Sequence, residues 1–131
     1  MNRFVSLALA LVVAVALPAA AGEKPKPDVD FSVAGETFTA QQNVRMTGDI
    51  DPATQPETVT IHTQRYNKKR ERWKTYDRRR TESDSEGGFS FRHAPLPKGK
   101  YRARAEVEET ADHLAGKNRW KKYTVRARRN H

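Results

Sequence analysis

Apolar residues recur at every second position in several short segments of this chain, and this period limits the folds open to it. In "VDFSV" the apolar residues are Val29, Phe31 and Val33, and in "YRARAEV" (101–107) tyrosine, alanine and valine alternate with arginine and glutamate. Successive side chains of a β-strand point to opposite faces of a sheet. The pattern therefore predicts strands that are buried on one face, and no segment has a convincing helical period.

Turn residues separate these segments at intervals of about ten residues, as in an antiparallel sandwich. Asp51-Pro52 and Gln55-Pro56 lie between one pair of predicted strands, and "LPKGK" (96–100) lies between another. Proline cannot donate a hydrogen bond within a strand ladder, which confines it to turns and strand edges. About seven strands joined in this way predict an all-β protein, an antiparallel β-sandwich.

The first 21 residues have the composition of a secretory signal peptide. Arg3 supplies a positive charge, residues 4–17 form an almost unbroken apolar run, and three alanines at 19–21 suit a signal peptidase. The run has 14 residues, fewer than the roughly 20 needed to cross a bilayer. We therefore predict cleavage after Ala21, no transmembrane anchor, and a location in the cell envelope or outside the cell.

The rest of the chain has the size of one domain. Removal of the first 21 of 131 residues would leave 110, which we divide into a polar linker (22–28), a β-sandwich (29–128) and a basic tail (129–131). Leu, Ile, Val and Phe contribute only 14 of these 110 residues, and cysteine is absent. So low a content is typical of disordered chains, but the alternation favours a folded domain with a thin core.

Five motifs follow one another between residues 29 and 128. They are "VRMTGDIDP", "TVTIHTQR" with a later tryptophan, "TESDSEGGFSF", "PKGKYRARAEV" and "RWKKYTVRA". Their order resembles that of exported bacterial Ig-like β-sandwich domains, especially those of actinobacteria. The residues that match are Trp73, Asp84, Gly87, Phe89, Gly99, Tyr101 and Arg104. The resemblance implies an Ig-like fold and an exported setting, but no reaction, because such domains serve many functions.

Residues 65–80 form the most basic stretch of the chain. They contain nine lysines and arginines but only two acids, Glu71 and Asp77. We predict a turn at 67–71 and a returning strand at 72–78. Charged edge strands oppose pairing with other molecules, so the charge has a purely structural explanation as well.

Alternation within that strand predicts two roles for its residues. Trp73 would point inward and fill the core between the sheets, whereas Lys74, Tyr76 and Arg78 would point into solvent. In an Ig-like strand order this strand shares a sheet with the strands around residues 101 and 123. The outward residues of that sheet would form a basic face that consists of Lys74, Arg78, Arg102, Arg104, Arg126 and Arg128.

A basic face of this kind attracts anionic polymers. The partners predicted for it are an anionic polysaccharide or another polyanion, or a protein. No specific nucleic acid is predicted as a partner. The leading function is a non-catalytic binding or structural module at the cell envelope. The alternative is a small exported inhibitor or accessory subunit that docks on a protein, and a merely solvated exterior would explain the same charges.

The sequence contains no motif for catalysis, a cofactor or a metal. The four histidines are far apart and cysteine is absent, so metal-ligand spacing is lacking and each histidine is predicted to lie in solvent or at an edge. In "DSEGG" (84–88), position 12 of a calcium loop that starts at Asp84 would be Pro95 rather than glutamate. We therefore predict a hairpin turn in which Asp84 binds backbone amides.

Trp120 is out of phase with Tyr123 and Val125 in the last predicted strand. A bulge that turns Trp120 into the core is the favoured interpretation. In the alternative, an exposed Trp120 beside Arg119 would stack on a sugar or a base.

Overall fold

The computed structural model describes residues 24–128, which form two packed β-sheets and contain no helix. The strands are β1 (Asp28–Val33), β2 (Thr37–Thr39), β3 (Val44–Asp51), β4 (Thr58–Asn67), β5 (Arg72–Glu82), β6 (Gly88–His93), β7 (Gly99–Val107), β8 (Gly116–Lys117) and β9 (Lys121–Arg126). The described residues form strands and no helix, and these strands make two packed sheets. The prediction of an all-β sandwich is therefore confirmed. The predicted signal peptide (1–21) and basic tail (129–131) lie outside the described residues.

The two sheets differ in size. The small sheet has the strand order β1-β3-β6, and the large sheet has the order β2-β9-β7-β4-β5, with β8 paired to β7. Neighbouring strands are antiparallel except for β2, which runs parallel to β9. Within residues 24–128 no helical segment has the length and apolarity needed to span a membrane.

The core lies between the inner faces of the two sheets. Alternation predicts it well in β7 and β9, where Tyr101, Val107, Tyr123 and Val125 are buried. The rings of Tyr101 and Tyr123 stack with centroids 5.8 Å apart, and the Tyr101 hydroxyl donates to the Pro97 carbonyl at 2.6 Å. These tyrosines supply apolar area that the few aliphatic residues lack, since aromatic rings bury large surfaces.

Three histidines predicted to lie in solvent or at an edge are buried instead, so that prediction is wrong for His62, His93 and His113. His93 Nε2 lies 2.8 Å from Asp77 Oδ2, and its Nδ1 lies 2.7 Å from the Ala94 carbonyl. His113 makes the same two contacts, with Glu57 Oε1 and with the carbonyl of the residue that follows it. Each of these two rings therefore faces an oxygen atom at both of its nitrogens.

The described part of the predicted linker packs on the domain. The Leu114 amide donates to the Pro25 carbonyl at 3.0 Å, and Lys24 Nζ donates to the Thr110 carbonyl at 3.1 Å. Pro27 is buried and lies against Gly116, where an added Cβ would approach the proline ring to 2.7 Å. The first strand accordingly starts within the predicted linker.

The His113–Glu57 pair predicts a pH dependence of stability. Burial alone would lower the pKa of His113, but its hydrogen bonds to the Leu114 carbonyl and to Glu57 raise that pKa above the usual 6.5. A histidine with a raised pKa stabilises the fold fully below its unfolded pKa, and this stabilisation is lost as the pH rises through its folded pKa. We expect the free energy of unfolding, measured in urea, to decline above pH 6.5 for this reason.

The matched variant is Glu57→Gln, which keeps the acceptor oxygen but removes the charge. It should show a smaller decline over the same pH range, because His113 then gains less from protonation. A decline in Glu57→Gln equal to that of the natural chain would contradict the pairing.

Candidate functional site

A β-bulge in β5 determines which of its side chains face outward. Thr63 of β4 pairs with Asp77, but the next residue, Gln64, pairs with Thr75, so Tyr76 is left without a partner. One extra residue shifts the alternation of the strand by one position. The residues of β5 before and after the bulge therefore differ in phase.

This shift makes two predictions for β5 wrong. Trp73 is only half-buried and does not belong to the core; it pairs with Tyr66 on the outer face, the face turned away from the small sheet. Lys74 lies on the opposite face, because it pairs with Arg65 and Arg65 pairs with the buried Tyr101. Alternation placed Lys74 with Arg78, whereas the bulge places Trp73 with Arg78.

Aromatic rings and guanidinium groups form one row along the outer face. This row, called the ladder below, consists of Tyr66, Trp73, Arg102, Trp120 and Arg104. The rings of Tyr66 and Trp73 lie 5.3 Å apart. Arg102 Cζ lies 4.6 Å from the Trp73 ring centre and 4.4 Å from that of Trp120. Arg104 Cζ lies 4.2 Å from the Trp120 ring centre, so each guanidinium group is within cation–π distance of a tryptophan.

Trp120 reaches the ladder from the residue just before β9, so the favoured prediction of an inward bulge is wrong. Simple alternation with the inward Tyr123 puts Trp120 on the outer face. Its ring lies 5.3 Å from that of His62, which is only 5% exposed. Burial, and next the nearby Arg78, lower the pKa of His62, so this histidine is neutral at neutral pH and adds no charge to the face.

The two ladder arginines are held by their Nε atoms. Arg102 Nε donates to Gln64 Oε1 at 2.7 Å, and Arg104 Nε donates to Glu106 Oε1 at 3.0 Å. Their Nη atoms make no hydrogen bond to a described residue and are not among the buried atoms that lack a partner. These donors are therefore accessible to solvent. Burial and the neighbouring Arg104 lower the pKa of Arg102, and a guanidinium group remains charged despite such a shift.

The outer face carries far more cations than anions. Register with the ladder strands places Arg78, Arg80, Lys100, Arg102, Arg104, Lys117, Lys122 and Arg126 on it, against Glu82 and Glu106. Of the predicted basic face, the structure brings Arg78, Arg102 and Arg104 together around His62 and Gln64. Arg126 lies farther along β9, and Arg128 follows the last strand.

Grooves lie on both sides of the ladder. One is lined by Arg78, Arg80, Lys117 and Arg119, and we call it the Lys117 groove. The other is lined by Tyr66, Trp73, Lys100 and Lys122, and we call it the Lys122 groove. Basic side chains therefore border the ladder on both sides, together with Glu106 and Glu108 in the Lys117 groove and Glu36 in the Lys122 groove.

The hairpin predicted at Asp84 is confirmed. Asp84 Oδ1 accepts hydrogen bonds from the amides of Glu86 and Gly88, both at 2.9 Å, and Gly87 has a φ of 96°. Within residues 24–128 no group of three histidine, cysteine or acidic side chains could hold a metal ion.

Comparisons with known proteins assign no family to the chain. No protein-family model and no curated protein matches it. What the outer face can do follows from its donors, because accessible guanidinium and ammonium groups bind anionic oxygens.

The position of Trp73 predicts a modest contribution to stability. Trp73→Ala should lower the free energy of unfolding by about 1–2 kcal/mol, the scale of a partly desolvated cation–π contact. The control is Ile61→Ala in the core, where a fully buried side chain should cost about 2–5 kcal/mol. Urea denaturation measures both variants. If Trp73→Ala loses as much free energy of unfolding as Ile61→Ala, or more, Trp73 is buried in the core.

Proposed function

We propose that this protein is an exported, non-catalytic Ig-like binding module whose outer face binds anionic polysaccharides. The observation that carries the proposal is the orientation of Arg102 and Arg104. Each is fixed through Nε and through a tryptophan ring, and each leaves its Nη donors accessible. Such donors bind carboxylate, sulfate or phosphate oxygens in pairs.

Immobilised arginines bind better than free ones. A free arginine side chain loses rotamer entropy when it binds an anion, by about 0.5–1.5 kcal/mol for each side chain ordered. In the ladder this entropy is lost on folding instead, because Arg102 lies between two indole rings and Arg104 lies on one of them. The outer face therefore differs from the exposed lysines and arginines of an ordinary charged surface.

The chemistry of the face favours a polysaccharide over a nucleic acid. Single-stranded nucleic acids bind largely by stacking bases on free aromatic faces, whereas guanidinium groups already occupy faces of Trp73 and Trp120. The other outward side chains of β4 and β5 include Thr60, Gln64 and Thr75. The Thr60 hydroxyl and the Gln64 amide group suit sugar hydroxyls, whereas the Thr75 hydroxyl lies 3.0 Å from His62 Nε2. The predicted export would also place the protein among extracellular polymers.

Chromatography on a heparin column tests the proposal. The double variant Arg102→Gln/Arg104→Gln should elute at lower salt than the natural chain, and the slope of log affinity against log salt should fall by about 2, roughly one for each lost contact. The control is Arg45→Gln/Arg92→Gln, which removes the same charge from two paired, exposed residues of the small sheet. It should elute close to the natural chain.

Three outcomes would contradict the proposal. Equal losses in the two double variants would show that only net charge matters. If the ladder variant elutes at the same salt concentration as the natural chain, the basic residues of the outer face are only a solvated exterior or serve to dock a protein. Tighter binding of single-stranded DNA than of heparin at the same salt would exclude the polysaccharide.

A further inference from the structure

A second basic cleft lies on the other side of the β4–β5 hairpin, away from the ladder. All the charged side chains that line it are basic: Arg65, Lys68, Lys69, Lys74, Lys98 and Lys100. Gathering like charges without acids costs self-repulsion, which an anionic ligand would relieve. The hairpin cleft is therefore a second candidate site, which shares Tyr66 with the ladder.

The bulge in β5 shapes this cleft as well. It turns Tyr76 to the side of Lys74, where the tyrosine ring packs edge-on against Tyr101 with centroids 5.7 Å apart and stays 41% exposed. Arg65 Nη2 donates to the Lys98 carbonyl at 2.6 Å, which ties β4 to the loop before β7. The cleft thus combines cations with an accessible aromatic ring, the pair of features that suits an anionic sugar.

The hairpin turn that borders the cleft is ordered by its own backbone contacts. Asn67 Oδ1 accepts hydrogen bonds from the amides of Lys69 and Arg70, at 3.0 and 3.2 Å. Local bonds of this kind stabilise turns. The backbone that carries Lys68 and Lys69 is therefore ordered beside the cleft.

The hairpin cleft is continuous with the outer face. Tyr66 and Lys100 line both the cleft and the Lys122 groove. We infer that the cleft is a second anion-binding site for the polysaccharide of the proposed function, on which this inference rests. The ligand is then a flexible linear polymer that passes from the ladder around Tyr66 and Lys100 into the cleft.

This path sets a length requirement on the ligand. From His62, which pairs with Arg104 of the ladder, to Asn67 in the hairpin cleft, β4 extends roughly 17 Å at about 3.3 Å per residue. A short oligosaccharide reaches only one of the two sites. A chain that reaches both gains from the high effective concentration of its second segment, by about 10²-fold or more.

Titration calorimetry with heparin oligosaccharides of increasing, defined length tests the inference at one salt concentration. We expect the affinity of the natural chain to rise by about 10²-fold or more once the oligosaccharide spans both sites. The double variant Lys74→Gln/Lys98→Gln should bind short oligosaccharides like the natural chain but lose most of this rise. Arg45→Gln/Arg92→Gln, with the same loss of charge, should keep it.

The outcomes separate this inference from the proposed function. If the cleft variant binds long oligosaccharides as tightly as the natural chain, the cleft is not used, although the ladder remains a binding site. If the cleft variant and the small-sheet control lose the rise equally, only net charge matters and the inference is overturned. If no oligosaccharide of any length binds the natural chain, the inference and the proposed function both fail.

Discussion

The unpaired residue in β5, Tyr76, is the constraint on which both candidate sites depend. Because β4 skips it, the strand changes phase between Thr75 and Asp77. Before the bulge, Trp73 turns outward to the ladder and Lys74 turns to the hairpin cleft. After it, Asp77 turns inward, where its carboxylate meets His93 of the small sheet at 2.8 Å. Because of this one extra residue, β5 contributes side chains to the ladder, to the hairpin cleft and to the core.

The large sheet is packed on both of its faces, which compensates for the thin core. Between the sheets, stacked tyrosines and buried histidine–carboxylate pairs stand beside few aliphatic side chains. On the outside, Trp120 packs against His62, and the two tryptophan rings lie against the guanidinium groups of Arg102 and Arg104. Long arginine side chains bury apolar length while their charge stays near water. The residues proposed to bind a ligand therefore also stabilise the sheet.

Alternation predicted the regular strands and failed where the chain departs from regularity. In β7 and β9 every residue has a partner, so the period of two places Tyr101, Tyr123 and Val125 correctly in the core. The phase of Trp73 depends on a bulge that arises from pairing with β4, and no local turn residue marks it. Trp120 carried a usable signal, since its odd spacing from Tyr123 indicates the outer face without any bulge.

The sequence could not predict the histidine–carboxylate pairs, for a different reason. Glu57 and His113 are 56 positions apart along the chain, so nothing local shows that they meet. Sequence alone predicted Arg102 and Arg104 as neighbours, because they follow from the regular phase of β7. It also placed Arg78 on their face, but by alternation with an inward Trp73, whereas the bulge lies between these two residues and both face outward. It did not predict that tryptophan rings lie against Arg102 and Arg104, which is the feature that orients their donors.

The contacts of the Trp73 indole ring in solution test this account most directly. A nuclear Overhauser spectrum of the isotope-labelled protein reports which protons lie near that ring. The structure predicts cross-peaks from the indole to the side chains of Tyr66 and Arg102, and none to buried Met46 or Ile61. Cross-peaks to Met46 or Ile61 in place of Arg102 would show that Trp73 lies in the core. In that case β5 has no bulge at Tyr76 and the ladder does not form.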